Sequence, residues 1–548
     1  MIPIPDLLHG REHAFPDNEL LEDLLELAFL GTNETARINQ HMGESPLEAS
    51  PWDPELFDRD VFLTEFVDDS SRIELGGSDY QAHPEFLHRV LSRPPVDLET
   101  VHLRQAILRE LETDADVRDR TERLYIELIS LLDLIKSAHT VRTVDTTPHR
   151  LGVLGQVRDV VDLMASDFVA CSSGLHRIHE AGLGIQATRD YRILTDLLTY
   201  EENIASVSVS LQLGGDGRVK KLQIENFEEV RDNPFYKSAW RRWHDLFDTY
   251  WRGYNLSSRE MVNRVIIDVY RRIAAPLARV LTLVGHLEVY LTSRAFADTC
   301  RQQGLDVCLP TVVESGPLIA RRLFNPLLLR QDTSPVACDV ADSADESITV
   351  VTGPNSGGKT RLLQGLGLLQ LMAQSGLYVA AAEANVPMRS GLFASVVQTD
   401  SADQLEGRLG QELVRIRTLF QHIRPRSMIL LDELCSGTNP SEAAEIVLMV
   451  LELLSELTPR AYITTHFLDL ARELDVKRTL PQLEFLQVEI AGDESTYQFI
   501  AGVAGTSMAT ETARRLGVDF EVLSQEIRAR LERDGIAQRH VADREPTE

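Results

Sequence analysis

The chain has 548 residues, more than one hydrophobic core usually serves, so two to four domains are expected. With 43% hydrophobic and 25% charged residues, and no run of about 18 apolar ones, the composition is that of a globular chain and excludes an evident membrane span. A net charge of −29 repels polyanions at long range and excludes indiscriminate coating of nucleic acid, though not a clamp with a basic lining.

The N-terminus, MIPIPDLLHGREHAF, has no basic stretch followed by an apolar one, so no secretion signal is expected. Cysteines 171, 300, 308, 338 and 435 are scattered, with neither a CxxC pair nor zinc spacing, which fits a reducing, cytoplasmic setting. Residues 18–30 read as a short helix with an apolar stripe at Leu21, Leu24, Leu25 and Ala28. Residues 43–70 are rich in Pro, Asp and Glu and weakly periodic; irregular structure with short helices is expected, and no function is legible there. From 97 to 139 the pattern is strongly helical, and further helical stretches cover 155–181 and 190–202. Their length and lack of breakers predict levers rather than a compact bundle.

Residues 204–224 switch to alternation of period two around Gly-Gly-Asp-Gly217, a β-hairpin signal. Arg218, Lys220 and Lys221 put charge on its second strand. A finger touching DNA phosphates is one reading; an edge strand defended by lysine is the plainer one. A long helical region, 236–304, should kink or break near Pro276. Trp240, Trp243, Phe247, Tyr250, Trp251 and Tyr254 recur there at helical spacing among arginines. That pattern reads better as a core stripe with a wet basic face than as a platform for bases. Residues 307–329 are strand-like and punctuated by prolines, a junction into the next domain.

The chain is organised around Gly353-Pro354-Asn355-Ser356-Gly357-Gly358-Lys359-Thr360. An apolar run, 348–352, precedes it and a helical pattern, 361–375, follows. Strand, glycine-rich loop and helix form the context in which this spacing cradles phosphates. The glycines let backbone N–H groups turn inward, while the helix N-terminus and Lys359 add positive charge. The loop therefore predicts binding of a nucleoside triphosphate. Downstream, Ser427-Met-Ile-Leu-Leu-Asp432-Glu433 reads as a buried parallel strand with two carboxylates at its carboxyl end, where ligands bind in a doubly wound sheet. Asp432, with Thr360, is expected to hold Mg²⁺, and Glu433 to polarise the attacking water. A third strand, 460–465, ends in His466, placed to sense a γ-phosphate or hold that water.

At this point the chain resembles the MutS family. GPNSGGKT is similar to that family's phosphate loop, and Leu431-Asp-Glu-Leu-Cys-Ser-Gly-Thr-Asn439-Pro-Ser-Glu-Ala443 resembles its acidic strand and the turn beyond. Thr464-Thr-His-Phe467 resembles its TTHY segment, and 501–531 its C-terminal helix–turn–helix. The resemblance implies an α plus α/β fold: a helical lever region over 96–310 with a reduced clamp at 204–224, then a P-loop NTPase domain of ABC type over 320–548 ending in dimerisation helices, with 1–95 a mixed region. It implies ATP hydrolysis, a homodimer paired through the ATPase domains, a γ-phosphate response at Asn439, an adenine-stacking role for Phe324, and double-stranded DNA that is mismatched, branched or distorted as partner. No membrane is implied.

Three departures stand out. No room is seen for the family's mismatch-reading and connector domains before the first lever. The clamp is reduced to the hairpin. The segment expected to reach the partner's γ-phosphate, 406–412, reads Glu-Gly-Arg-Leu-Gly-Gln-Glu and offers no hydroxyl, leaving Arg408, the Gly410 amide or Gln411 as substitutes. No added nuclease domain is expected at the C-terminus. The rival reading is a nucleotide-gated scaffold that grips a protein and never touches DNA, favoured by the charge of −29. Intact Lys359, Asp432 and Glu433 argue against an inactive remnant.

Overall fold

A computed structural model describes the chain apart from residues 1–4, 12–18, 45–46, 142–145, 204–206, 214–218, 228–257, 331–333, 355, 397–407, 436–438, 458, 479, 481, 493, 506–519 and 534–548. From 200 to 262 it describes backbone elements only. By packing, the chain forms two compact units: Met1–Ala49, Ser70–Val90 and Glu99–Ala295 in one; Ser50–Asp69, Leu91–Leu98 and Phe296–Glu548 in the other.

The first unit is mainly helical. Its helices include Glu19–Phe29, Leu98–Thr113, Ala115–Lys136 and Arg189–Asn203, while the helical stretch predicted over 155–181 is two helices, Thr147–Asp167 and His176–Gln186, separated by irregular backbone at 168–175. The stretch read as strongly helical over 97–139 is divided at Asp114, whose carboxylate caps the next helix by accepting from the Asp116 and Val117 amides at 3.0 and 3.1 Å. These helices do not stand apart as levers. Their apolar stripes, such as Leu124, Leu128, Leu131 and Ile135, are fully buried against neighbouring helices. Gly182 marks one close approach, since a Cβ there would lie 2.6 Å from the Ala165 amide. The helix Ser258–Leu281 runs through Pro276, and the interruption falls later, at Thr282, before Leu283–Gln302. The Thr282 hydroxyl donates to the Arg279 carbonyl at 2.7 Å and so competes for a helical acceptor. The stretch Asn263–Gln302 is long and apolar enough to cross a membrane by length and composition, but 83% of its most apolar window is buried inside the protein, as in a core helix.

Two antiparallel pairs belong to this unit: β1 (Arg72–Leu75) with β2 (Ser78–Gln81), and β3 (Val207–Leu213) with β4 (Val219–Phe227). The second pair is the hairpin read from the alternation. Arg218 and the aromatic stripe from Trp240 to Tyr254 lie outside the described residues.

The second unit carries the remaining strands: β5 (Thr311–Val313), β6 (Ile319–Leu323), β7 (Cys338–Ala341), β8 (Ser347–Thr352), β9 (Glu383–Pro387), β10 (Leu392–Ser395), β11 (Met428–Leu431), β12 (Arg460–Thr465), β13 (Leu483–Ala491) and β14 (Glu494–Ala501). Among the described residues they form a six-stranded sheet, β10-β11-β12-β8-β13-β14, and a four-stranded one, β5-β9-β6-β7. The large sheet is parallel from β10 to β13, with β14 antiparallel at one edge. Strands β8, β11 and β12 are buried along their whole length, which is why β11 reads as an unbroken apolar run and β8 and β12 lack polar–apolar alternation. The helix Lys359–Gln374 contacts β11 and β12 of the large sheet and β9 of the small one, and is buried on nearly all sides from Leu362 to Gln374. The opposite face of the large sheet is covered from helices Arg408–His422, Pro440–Leu457 and Leu468–Lys477 by Leu419, Val450 and Leu474 among others.

At the amino end of β12, Arg460 is fully buried. Its Nη2 donates to the carbonyls of Gly316, Ala344 and Asp345 at 2.9–3.1 Å, and its Nε lies 2.7 Å from Asp342. Burial pushes the Asp342 carboxyl up to about 6, against the opposing pull of Arg460. This buried pair anchors the end of the sheet away from the glycine loop.

Candidate functional site at the carboxyl edge of the large sheet

Strand β8 delivers its chain into the glycine loop at the carboxyl edge of the sheet, between β12 and β13. Gly353 has φ 137° and Gly358 φ 83°, conformations that L side chains rarely adopt. Space is equally restrictive, because a Cβ at Gly353 or Gly357 would lie 2.7 or 2.8 Å from Val488 Cγ2. Val488, on β13, therefore forms a wall against which the loop is moulded. Gly358 leads directly into the helix that begins at Lys359. Pro354, Ser356 and Gly357 lie between; Asn355 falls outside the described residues.

Lys359 is 2% exposed. Its ammonium donates to the carbonyls of Gly353 and Pro354 at 2.9 and 3.0 Å and sits 3.8 Å from Glu433 Oε1. Burial lowers its pKa, with Glu433 and Asp432 pulling the other way. Thr360 donates its hydroxyl to Asp432 Oδ2 at 2.6 Å, and the Thr464 hydroxyl donates to Oδ1 of the same carboxylate. Thr464 also accepts the Glu433 amide at 3.0 Å. The Asp432 amide is itself held by the Ser395 carbonyl at 2.9 Å. Glu433 has φ 50°, so the chain turns sharply after Asp432 and the two carboxylates diverge. One carboxylate lies among hydroxyls while the other faces the lysine. Lys359, Thr360, Asp432 and Glu433, chosen on spacing, thus meet at one edge.

His466 follows β12 and is half-buried, its ring centroid 4.3 Å from that of Phe467. Asn439 is exposed and caps the helix Pro440–Leu457. Its Oδ1 accepts the Ser441 amide at 3.2 Å and the Ser441 hydroxyl at 3.0 Å, and its carbonyl accepts the Ala443 amide. Phe324 is 2% exposed, with its amide bonded to the Ala380 carbonyl; adenine could reach this ring only if it were uncovered. Arg408, Gly410 and Gln411 fall at the start of the helix Arg408–His422, where first-turn amides have no helical acceptor. Glu406 and Gly407, and the Ser436 to Thr438 part of the turn before Asn439, lie outside the described residues.

Two neighbours were not singled out from sequence. Thr464 is the hydroxyl that turns Asp432 and Glu433 into one unit; its position at the carboxyl end of an apolar strand, one residue from the end of β12, was the available signal. Tyr497, on β14, is 45% exposed, has φ 58°, and places its ring 3.2 Å from where a Cβ on Gly358 would be. A half-exposed aromatic ring at the mouth of the loop offers an apolar face beside it. Nothing in the alternating pattern of that strand distinguishes Tyr497 from Phe499.

The hydroxyl of Thr360 and the carboxylate of Asp432 are hard oxygen donors already within 2.6 Å of each other, a donor set that suits Mg²⁺ better than softer ions. Among the described residues no group of three or more His, Cys, Asp or Glu side chains could hold a metal unaided.

Fold and edge together define an α/β unit whose glycine loop, lysine, hydroxyls and paired carboxylates converge at the carboxyl ends of parallel strands. Residues 349–530 match the family model of MutS domain V. Among curated relatives, the chain is 32% identical over 288 residues to Endonuclease MutS2 of Thermomicrobium roseum, covering 50% of this chain and 36% of that one. It is 32% identical over 274 residues to Endonuclease MutS2 of Thermus thermophilus, 49% of this chain and 35% of the relative. It is 29% identical over 356 residues to Endonuclease MutS2 of Streptococcus pneumoniae, 64% of this chain and 42% of the relative. The chain therefore spans less than half the length of these relatives. Residues 349–530 are thus the part that the chain shares with the MutS family.

Proposed function

We propose that the chain is a P-loop ATPase that hydrolyses ATP to ADP and phosphate and uses the cycle to control its grip on double-stranded DNA. The observation that carries this reading is the single carboxylate of Asp432, bonded by Thr360 of the loop helix and Thr464 of β12, with Glu433 turned from it toward Lys359.

On this reading the loop amides and Lys359 receive the β- and γ-phosphates, and the lysine exchanges its two carbonyl acceptors for phosphate oxygens. Thr360 and Asp432 hold Mg²⁺, which would neutralise charge on those oxygens. Glu433 orients the attacking water and takes its proton, with His466 beside the γ-phosphate. Asn439 acts by fixing the helix that follows the acidic strand. Tyr497 replaces Phe324 as the aromatic neighbour of the base, because its ring is exposed at the loop.

A second copy of the chain is the proposed partner. The helix Phe520–Arg533 presents Phe520, Leu523 and Ile527 at helical spacing, all at least 40% exposed, as an apolar stripe for pairing. The helical unit would then transmit the nucleotide state to DNA, with branched or distorted duplex as target and the β3–β4 hairpin as a contact. The name carried by the relatives also raises strand cleavage, which a plasmid-nicking assay addresses. The charge of −29 favours one other reading, a nucleotide-gated scaffold that grips a protein.

The test is phosphate release by the full chain and by Glu433→Gln, with and without linear, mismatched and branched duplex. Glu433→Gln should bind ATP and turn over about 100-fold or more slowly; unchanged turnover removes Glu433 from the mechanism. Binding to branched duplex that weakens as salt rises supports the DNA role. No binding to any duplex at low salt leaves the scaffold reading.

A further inference from the structure

The acid-rich stretch in which sequence shows no function supplies a buried carboxylate to the second unit. Asp53 caps a short turn, Pro54–Leu56, followed by the short helix Asp58–Val61. Val61 lies against the glycine-loop helix, with its Cγ1 2.7 Å from where a Cβ on Gly367 would be. Beside it, Asp60 is 7% exposed. Its Oδ1 accepts the Val396 amide at 2.6 Å and lies 3.7 Å from Arg415 Nη1. Val396 follows β10 directly, and Arg415 lies on the helix Arg408–His422. One carboxylate thus holds both flanks of 397–414.

The same group reaches the candidate site through one further residue. Arg415 Nη1 donates to the Ser395 hydroxyl at 2.9 Å, and the Ser395 carbonyl accepts the Asp432 amide at 2.9 Å. Ser395 is therefore held by Arg415 at its side chain and by Asp60 through the next amide. Its carbonyl fixes the residue whose carboxylate collects Thr360 and Thr464. A buried carboxylate is costly unless it is paired.

We propose that Asp60 is a positioning residue for nucleotide hydrolysis: through Val396, Arg415 and Ser395 it fixes the end of β10, and with it the backbone of Asp432. This rests on the reading of Asp432 as the residue that holds Mg²⁺ beside the phosphates. Removing groups that orient metal ligands changes metal affinity or activity by about 10–100-fold. Asp60→Ala loses both contacts, whereas Asp60→Asn keeps an acceptor for the Val396 amide and loses the charge that faces Arg415.

Two quantities separate positioning from mere stability: the Mg²⁺ concentration for half-maximal ATPase activity, and the affinity for a fluorescent ATP analogue in EDTA and in Mg²⁺. Asp60→Ala should raise half-saturation by Mg²⁺ about tenfold or more. It should also reduce the strengthening of nucleotide binding by Mg²⁺, and leave affinity in EDTA unchanged. Asp60→Asn should fall between Asp60→Ala and the parent, and it carries the test if Asp60→Ala does not fold. Asp432→Asn is the reference. If it shifts the Mg²⁺ dependence and both Asp60 variants behave as the parent, the proposal is overturned. If Asp432→Asn is silent as well, the reading of the site fails, and the role of Asp60 with it.

Discussion

Substituting Gly353 by alanine tests the moulding of the loop directly. At φ 137° an L residue sits in a region essentially reserved for glycine, costing about 1–3 kcal/mol. The new methyl would also lie 2.7 Å from Val488 Cγ2 and 2.8 Å from its Cβ, both within β13's packed wall, and overpacking of this kind costs about 1–3 kcal/mol. The two sources sum to about 2–6 kcal/mol for a loop kept in its present form. If the phosphate-binding conformation bears that cost, ATP affinity falls by at least about 30-fold, at 1.4 kcal/mol per tenfold. Titration with a fluorescent ATP analogue measures the loss. The double variant Gly353→Ala/Val488→Ala removes the clash and leaves the dihedral strain, so it should recover part of the affinity and not all. Parental affinity in Gly353→Ala would refute both the strain and the clash; no recovery in the double variant would refute the role of Val488 as a wall.

Three further outcomes follow from named contacts. Tyr497→Ala should weaken ATP binding about tenfold, since stacking of a base on an aromatic ring is worth about 1–3 kcal/mol, and should leave binding of inorganic triphosphate unchanged; equal loss for both ligands would place the ring elsewhere. Arg460→Met should lower resistance to urea by about 3–5 kcal/mol, because it leaves the buried Asp342 without its charged partner, with only the Tyr462 hydroxyl donating to it; a loss under about 1 kcal/mol would show the pair to be dispensable. His286 is fully buried, accepts the Leu7 amide at 3.4 Å, and is pushed down to about 4 by burial despite nearby Asp6. Between about pH 6.5 and 4 the unfolded chain binds the proton that the folded one refuses, so stability should fall as pH falls through that window, by about 3 kcal/mol at its end. Urea melts at several pH values should show a shallower fall for His286→Gln, and an identical fall would exclude His286 as the cause.

The residues legible in the sequence are those whose chemistry fixes both type and spacing. Lys359 and Thr360 follow glycines whose backbone conformation or close neighbours disfavour any side chain, and Asp432 and Glu433 end an apolar run too short for a helix. Asn439 came from resemblance; its helix-starting role, with proline next and a glutamate three residues on, was available in the sequence and not drawn from it. Phe324 came from resemblance alone, and the burial of its ring is set by the small sheet, which no local pattern announces. Asp60 was invisible because a single aspartate among many acquires its role only when residues more than 300 positions away fold beside it. The break at Thr282 rather than at Pro276 has a similar origin. A proline within a helix removes one hydrogen bond, and burial of the surrounding apolar face outweighs that loss.

The division of the chain has a consequence for its synthesis. Residues 50–69 and 91–98 belong to the second unit, yet its remainder begins only at Phe296. A ribosome adding about 5–20 residues per second takes about 10–45 seconds to cover the gap from residue 69. Throughout that interval Trp52, Phe57, Val61 and Leu63, all buried in the finished protein, have no sheet to join. Asp60 likewise waits until Val396 and Arg415 have emerged. The residues of this unit that are made before the rest of it are thus among its last to find their place, and a nascent chain stalled before β10 would expose a sticky segment to chaperones and proteases while holding no part of the site together.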